Sequence, residues 1–599
     1  MAHVIARWPR WGLAVLLAGT AAMYFPGLSA SGYGNEFYAA AAQAGARSWS
    51  AWFFGSLDAH DFITVDKPPA ALWVTGLSVR LFGVHGWAVL VPQAVMGVAA
   101  VAILFAAVRR VVPDPRLGAA AGLLAGAVLA CTPAAALMFR FDDPDALLTL
   151  LLVTAAYCLA RAVHGASWRW LVLVGVAVGT AFLTKLLQAF LVLPGFGLAY
   201  LLAAPTTLRT RLAHLAAALG ALVVAAGWWV LIVQLIPANA RPYVGGSTDD
   251  TVLDLAFGYD GFGRLQGPHA SPAVASMGPP TGPRRLFLAE MGDEISWLLP
   301  AALFALAFGG WLALRGHLGR AERAATVSWG GWLLVTGAVF AGVHGTIHPY
   351  YTVALAPAVG ALVGLGSAWA WRLRATWDGR VGLAGLVLTG GWWSSILLRR
   401  NDFGPHWLPP LLLVATVAAA ACAIIGRRLL PVAAGVGAAA ALAGTVAFSV
   451  ATAATPHHGA IPVAVAPAGR RTVTDGWLGD EGTNPALAAM LRASPSEWSA
   501  ATTGSQSAAA LELSSQTAVM AVGGWSDDPV PTLAQFVADV QSGRIGYYVE
   551  PGLGGAARPH GRIIRSANHS ASHARDIADW VAAHYPAVSV GTSLVYRLR

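Results

Sequence analysis

The sequence has little charge and few cysteines. Only 11% of its 599 residues are Asp, Glu, Lys or Arg, whereas 56% are hydrophobic; a soluble domain usually has about 25% charged residues. This balance excludes an ordinary soluble globular protein and predicts a membrane protein. The three cysteines, Cys131, Cys158 and Cys422, all lie in apolar stretches, so neither a disulfide framework nor a metal-type spacing is indicated.

Nucleotide-binding motifs are also missing. The sequence has no Walker motif, no dinucleotide fingerprint and no His/Cys zinc spacing. Neither a Rossmann domain that binds a nucleotide sugar nor a nucleotide cofactor is therefore expected. The net charge of +9 could suggest nucleic acid, but the arginines lie in short loops between apolar runs. That placement is typical of membrane topology and does not favour nucleic-acid binding.

Thirteen apolar stretches are long enough to cross the bilayer as helices, which takes roughly 20 residues. The first follows Arg7 and Arg10 and is predicted to be a retained signal anchor with a cytoplasmic N-terminus. Loops on that side carry most of the arginines, as the positive-inside rule requires, although Arg399 and Arg400 depart from it. The predicted spans cover residues 11–29, 86–108, 117–137, 143–161, 168–184, 186–203, 213–236, 296–314, 326–344, 350–370, 381–398, 406–425 and 429–452.

Three polar pieces are predicted on the outer face of the plasma (inner) membrane. A transmembrane domain covers 1–454, with long outer loops at 30–85 and 237–295, and a small α/β domain covers 455–599. Chemistry is expected on that face, because it holds most of the polar chain. In the tail, helices are predicted at 486–491 and 533–540, and strands at 518–522, 545–549 and 589–598.

The first outer loop collects charged and aromatic side chains. Gly34-Asn35-Glu36-Phe37-Tyr38 opens a predicted helix, and Val65-Asp66-Lys67-Pro68-Pro69 follows about thirty residues later. A carboxylate beside a lysine at the membrane surface suits two tasks, activating a hydroxyl and holding a phosphate. A solvated polar loop would also explain these residues.

Lysine is used only twice among 38 basic residues, at Lys67 and Lys185. In an arginine-rich chain this indicates that a compact ammonium is needed at those positions. Lys185 lies inside an apolar stretch, where it could either extend to the interface or face a cavity that holds an anion.

Two further segments carry candidate site residues. Arg140-Phe141-Asp142-Asp143-Pro144-Asp145 precedes the fourth span, and four charges at the mouth of a spanning helix favour a functional role over helix capping alone. The second outer loop places Arg241, Tyr243, Tyr259 and Arg264 among glycine-rich turns that can shape a sugar or phosphate site. His348 and Tyr350 stand at another outer mouth and could line the same cavity.

Four motifs resemble a known family. Asn35-Glu36-Phe37-Tyr38-Ala39, Asp66-Lys67-Pro68-Pro69, Asp143-Pro144-Asp145-Ala146-Leu147-Leu148 and Phe182-Leu183-Thr184-Lys185 match the dolichyl-phosphate-mannose-protein mannosyltransferase and aminoarabinose transferase group. That group is glycosyltransferase family 39 of the GT-C superfamily. A closer resemblance, to the YkcA/YkcB-type mannosyltransferases of bacteria, covers nearly the whole chain and includes residues 241–248, 258–264, 295–300 and 521–525.

The resemblance implies a GT-C fold, a polyprenyl-phosphate sugar as donor, a cell-envelope acceptor and inversion at the sugar. The family carries an Asp-Glu pair in the first loop, and its Asp acts at the acceptor. Asn35 occupies the Asp position, and because an asparagine cannot be a general base, Glu36 is the predicted catalytic residue, with Asp66 and Asp143 as substitutes. Lys67 matches the lysine that holds the lipid phosphate.

Some relatives use a divalent metal at the phosphate, and Mg²⁺ or Mn²⁺ could be held by Glu36, Asp66 and Asp143. Two other functions stay open, a transporter or flippase of lipid-linked sugars and an inactive GT-C-like scaffold; Asn35 favours the second. The residues predicted to bind substrate are Asn35, Tyr38, Lys67, Arg140, Asp145, Lys185, Arg241, Tyr243, Tyr259, Arg264, His348 and Tyr350.

Overall fold

Long apolar helices form a bundle that carries a small mixed α/β unit at one end. The computed structural model describes residues 8–262, 280–345, 347–465, 481–550 and 573–599. Within these ranges, eleven helical segments are long and apolar enough to cross a membrane. This confirms a multi-pass helical membrane protein, whereas the count of thirteen stays a prediction.

The thirteen predicted spans and the eleven helical segments differ at two places in the chain. The stretch Trp168–Ala203 counts as one segment of 36 residues, although its first helix ends at Lys185, where Leu186 adopts a φ of 50°. The third predicted span, 117–137, consists of the shorter helix Pro115–Ala130 followed by Pro133–Met138. Proline at the first position starts each of these helices, since that position needs no backbone N–H donor.

The helices before the second long loop run as follows: α1 Trp8–Tyr24, α2 Glu36–Arg47, α3 Trp49–Phe54, α4 Ala70–Phe82, α5 Gly86–Arg109, α6 Pro115–Ala130, α7 Pro133–Met138, α8 Asp145–Gly165, α9 Trp168–Lys185, α10 Leu193–Ala203 and α11 Leu208–Leu235. After that loop come α12 Ala289–Ile295, α13 Leu299–Leu314, α14 Arg320–Gly342, α15 Ala356–Arg372, α16 Trp377–Arg400, α17 Leu408–Ile425 and α18 Leu430–Ala454.

Small residues set the closest helix contact. A Cβ atom added at Gly175 or Gly179 of α9 would overlap the backbone carbonyls of Ala218 or Leu222 in α11. Helices packed in lipid gain little from the hydrophobic effect between them, so close backbone approach at glycine supplies the attraction. This contact fixes the end of α9, where Lys185 stands.

The two long loops meet at the same end of the bundle. Ile63 forms a parallel bridge with Tyr243, and the Thr64 backbone N–H donates to the Tyr243 carbonyl at 2.9 Å. The Gly245 N–H donates to Thr64 Oγ1, also at 2.9 Å. The described parts of the predicted loops 30–85 and 237–295 are therefore joined, although the first also contains the helix α4.

The tail contains a five-stranded sheet in the order β2-β1-β3-β5-β4. Strand β1 is parallel to β2 and β3, whereas β5 is antiparallel to β3 and β4. The strands are β1 Trp498–Thr503, β2 Val519–Val522, β3 Ile545–Glu550, β4 Ala587–Val590 and β5 Ser593–Arg597, and the helices are α19 Pro485–Arg492, α20 Ser505–Ser515, α21 Leu533–Gln541 and α22 His573–His584.

The predicted helices and strands of the tail are found as helices and strands in the structure. The strands predicted at 518–522 and 545–549 are β2 and β3. The run predicted at 589–598 divides into β4 and β5, because Gly591 turns the chain with a φ of 64°. Strand β1 and helices α20 and α22 were not predicted, since their alanine, serine and threonine give little periodic contrast.

Candidate functional site

Lys67 lies in a buried cluster between the two long loops. Its Nζ is 3.0 Å from Asp66 Oδ2 and 2.9 Å from Asp260 Oδ2, and the lysine is only 6% exposed. Asp66 comes from the first loop, and Asp260 from the irregular segment Leu255–Phe262 of the second. Asp260 belongs to the glycine-rich motif but was not among the predicted site residues. We call these three residues the Lys67 cluster.

Lys185 forms a second buried cluster at the same end of the bundle. Its ammonium is paired with Asp145, and Asp143 Oδ1 lies 4.0 Å away. The ring centre of Tyr351 is 3.6 Å from Nζ and that of Tyr350 is 5.5 Å away, so the lysine faces aromatic surfaces. We call these five residues the Lys185 cluster. Lys185 is buried among these side chains.

Tyr38 lies between the two clusters. It is buried on α2, and that burial is the largest reason for the raised pKa of its phenol. The charges of Asp66, Asp143 and Asp260 raise this pKa further, so carboxylates of both clusters lie near the one hydroxyl. The sequence predicted Tyr38 from the motif that it shares with Glu36, and in the structure it lies near carboxylates of both clusters.

Asn35 and Glu36 have different surroundings. Asn35 is buried and caps α2, because its Oδ1 accepts a hydrogen bond from the Phe37 N–H at 3.1 Å. Glu36 is partly exposed at the first helical position, and burial raises the pKa of its carboxyl. Within the described ranges its carboxylate has no hydrogen bond or ion pair, so it is available to an incoming hydroxyl.

The cap accounts for an asparagine at the position where the family carries aspartate. We expect Asn35→Asp to keep the free energy of unfolding, since aspartate caps helices equally well. Asn35→Ala should lower it by about 1 kcal/mol through loss of the cap. Thermal unfolding of the purified variants in detergent measures both effects. Equal stability of the alanine variant and the unmodified protein would contradict the capping role.

Three of the predicted site residues form hydrogen bonds with other residues of the protein. Arg140 Nη1 donates to the Tyr24 carbonyl at 2.6 Å and so fixes the end of α1. Arg241 Nη1 donates to Asp250 Oδ1 at 2.7 Å. The Tyr243 hydroxyl donates to the Ser247 carbonyl, also at 2.7 Å. The side-chain donors that were expected to bind substrate therefore already have acceptors within the protein. Their contacts with substrate stay predictions.

The remaining predicted residues flank the two clusters. The ring of Tyr259 lies 5.8 Å from Lys67 Nζ, and His348 stacks on Tyr350 with 5.4 Å between ring centres. Arg264 falls outside the described residues. Tyr351 was not predicted, although it directly follows Tyr350.

A divalent metal stays a prediction. Over the described ranges, no group of three or more His, Cys, Asp or Glu side chains is arranged to hold an ion. Glu36, Asp66 and Asp143 are therefore not a common ligand set in this structure. One carboxylate oxygen, Asp66 Oδ1, is nevertheless buried and without a hydrogen-bond partner.

The tail also reaches the site, which the sequence did not predict. The ring of Trp525 packs against Phe37 with 5.3 Å between their centres. Asp528 Oδ1 accepts a hydrogen bond from the Gly246 N–H at 3.1 Å. The segment 521–525 was noticed only as part of the family resemblance, which says nothing about its contacts.

The chain matches known proteins in both the membrane part and the tail. A family model for dolichyl-phosphate-mannose-protein mannosyltransferase matches residues 66–230, and one for the "Putative mannosyltransferase YkcB-like, C-terminal" region matches 487–584. The chain is 30% identical to "Putative mannosyltransferase YkcB" of Bacillus subtilis (strain 168), with 87% of this chain and 86% of that protein aligned. It is 31% identical to "Putative mannosyltransferase YycA" of the same organism, over 55% and 59% of the two chains.

Solved structures show the same fold. ArnT from Cupriavidus metallidurans in the apo state superposes with a TM-score of 0.53 at 17% identity, covering 98% of this chain and 97% of that one. The same protein bound to undecaprenyl phosphate gives a TM-score of 0.54 at 16% identity, covering 98% of both chains. With identity to YkcB along most of its length and the ArnT fold throughout, the chain belongs to the YkcB-like branch of glycosyltransferase family 39, in the GT-C superfamily.

Proposed function

We propose that this glycosyltransferase moves a sugar from a polyprenyl phosphate to a hydroxyl group of a cell-envelope acceptor. The reaction takes place on the outer face of the plasma membrane and inverts the anomeric centre. The observation that carries the proposal is the pair of buried lysine clusters, whose carboxylates both act on the Tyr38 hydroxyl of α2, the helix that begins at Glu36. The ArnT relative bound to undecaprenyl phosphate supports a lipid phosphate as the carrier.

Lys67 is the group that neutralises the departing phosphate. Two carboxylates pair with its ammonium, and one must move away to admit a phosphate. Asp260 is the one that yields, because it lies on an irregular segment in which Gly261 interrupts the helix. Asp66 stays, since it is the sequence neighbour of Lys67. A cation already in place stabilises the negative charge that develops as the C–O bond to the phosphate breaks.

Glu36 is the general base. Its carboxylate takes the proton from the acceptor hydroxyl as that oxygen attacks the anomeric carbon from the face opposite the phosphate. The bond from the anomeric carbon to the phosphate oxygen breaks in the same step, and polyprenyl phosphate leaves with the bonding electron pair. A single displacement without a covalent intermediate gives inversion. Burial raises the pKa of Glu36 towards neutrality, which makes the carboxylate a better proton acceptor.

The proposal is tested with the purified protein in proteoliposomes. Undecaprenyl phosphates that carry radiolabelled mannose, glucose, N-acetylglucosamine or aminoarabinose are offered together with a cell-envelope extract as acceptor. We expect one donor to be consumed and its label to enter acceptor material with inverted configuration. Movement of a donor between leaflets without consumption would instead indicate a flippase, and binding without transfer would indicate an inactive scaffold. Either result contradicts the proposed function.

A further inference from the structure

The tail domain is fixed onto the first loop at separate points. Gln43 Nε2 donates to the Glu512 carbonyl at 3.1 Å, which joins α2 to α20. Trp498 Nε1 donates to Asp58 Oδ1 at 3.1 Å, which joins the start of β1 to the loop after α3. Asp58 is itself buried and also accepts from the His60 N–H at 2.8 Å. These contacts hold the loop that follows β2 over the Lys67 cluster.

In that loop, one carboxylate oxygen of Asp528 accepts a hydrogen bond and the other accepts none. The residue is only 3% exposed. Its Oδ1 accepts from the Gly246 N–H, whereas Oδ2 is buried and has no hydrogen-bond partner. Gly524 has a φ of 56°, and a Cβ atom there would overlap Oδ2, so only a glycine allows Oδ2 to lie this close to the chain. The Trp525 backbone N–H also acts on this carboxyl and lowers its pKa, although no hydrogen bond to Oδ2 forms. A buried carboxylate oxygen without a full hydrogen bond costs free energy, which favours a further donor from a ligand.

Asp66, near Asp528, has a second carboxylate oxygen without a hydrogen bond. Its Oδ1 is likewise buried and without a hydrogen-bond partner. A Cβ atom built on Gly246 would lie 3.4 Å from the Asp66 Cβ atom, so the glycine bound by Asp528 packs directly against Asp66. Burial raises the pKa of Asp528 to about 7, and the charge of Asp66 adds to the shift. The carboxylates of Asp528 and Asp66 therefore lie in one small region beside Lys67.

Trp525 supplies an apolar wall to the same region. Its indole is partly exposed and packs on Phe37, between Glu36 and Tyr38 in the sequence. Binding pockets for small polar molecules combine such aromatic surfaces with a few oriented polar groups. Ionised carboxylate oxygens only accept hydrogen bonds, so a ligand that fits the ionised form of both residues must donate. A sugar meets both requirements, because it presents hydroxyl donors together with apolar C–H faces.

We propose that Asp528 and Trp525 of the tail domain recognise the transferred sugar, with Asp528 Oδ2 and Asp66 Oδ1 accepting hydrogen bonds from its hydroxyl groups beside the ring of Trp525. The inference rests on the proposed function, because a phosphate held by Lys67 brings the attached sugar next to Asp66. It makes the tail domain a part of the active site that determines donor specificity.

The test uses Asp528→Asn in the full-length protein. The substitution keeps the shape of the side chain and the acceptor for Gly246, but replaces the open acceptor oxygen with a donor. Binding is measured for undecaprenyl phosphate alone and for its mannosyl, glucosyl and N-acetylglucosaminyl esters. We expect the unmodified protein to prefer at least one ester over the bare lipid. The variant should lose about tenfold or more in affinity for that ester, while its affinity for the bare lipid changes by less than about twofold.

The matched control is Asp527→Asn, which removes an exposed carboxylate from the same loop. It should leave all four affinities unchanged. Trp525→Leu is a second variant that changes no charge, and it should also weaken the preferred ester selectively. The inference is overturned if Asp528→Asn binds every ester as the unmodified protein does, or if the unmodified protein does not distinguish the esters from the bare lipid. If it binds none of the four lipids, the proposed function itself fails.

Discussion

Replacing Lys67 with methionine is expected to lower the rate of sugar transfer by a factor of about 100 to 1,000. Methionine has a similar length but no charge, so the phosphate would leave without the cation that neutralises it. Removing one preorganised electrostatic contact to a developing charge typically has an effect of this size. Initial rates with the donor that the protein consumes measure it, and affinity for undecaprenyl phosphate should fall as well.

The control for this variant concerns folding. Without Lys67, the carboxylates of Asp66 and Asp260 would lose the cation that they share, which destabilises a protein. The double variant Lys67→Met/Asp260→Asn removes one of these charges and should recover stability but not activity. Lys67→Arg should restore transfer only in part, because a planar guanidinium does not replace a compact ammonium in this space. A folded Lys67→Met protein with full turnover would show that the assignment is wrong.

Replacing Glu36 with glutamine is expected to lower turnover by a factor of about 100 to 10,000, the usual contribution of a general base. The pH dependence gives a second, independent result. Because only the ionised carboxylate accepts a proton, transfer by the unmodified protein should fall as pH drops through the pKa of Glu36. Burial raises that pKa, so the fall should begin at a higher pH than for an exposed glutamate. The glutamine variant should lack this part of the pH profile.

Asp402→Asn is the matched control for Glu36, since the Asp402 side chain is 86% exposed. It removes one carboxylate from the surface and should leave turnover unchanged. If Glu36→Gln keeps its turnover while Asp66→Asn or Asp143→Asn loses it, the general base is the aspartate whose replacement abolishes turnover. These two carboxylates differ from Glu36 in being buried within the lysine clusters.

The first residues of the site were predictable because they are neighbours in the chain. Asp66 and Lys67 are adjacent, and Asp143 and Asp145 stand together at the mouth of one helix. Charge that is rare in an apolar sequence marks such places, since burying it requires partners. The scarcity of lysine singled out Lys67 and Lys185, and both prove to be the centres of buried clusters.

Arginines gave a less specific signal. Arg140 and Arg241 were predicted to bind substrate, yet their guanidinium groups meet backbone carbonyls and a nearby carboxylate. A sequence records that a charge is present but not which acceptor lies within reach. An arginine that fixes a helix end therefore resembles one that holds a phosphate.

Hydropathy and rare charges determined by themselves that this chain is a multi-pass membrane protein with Lys67 and Glu36 in its first loop, and the resemblance of its short motifs to a known family predicted a glycosyltransferase. Only the tertiary structure decided which groups meet them. Asp260 is 193 residues from Lys67, and Asp528 is 282 residues from Gly246. Hydrophobic pattern and capping act over a few residues and can be read in order. Contacts between distant loops depend on how the bundle and the tail pack, and no local pattern encodes them.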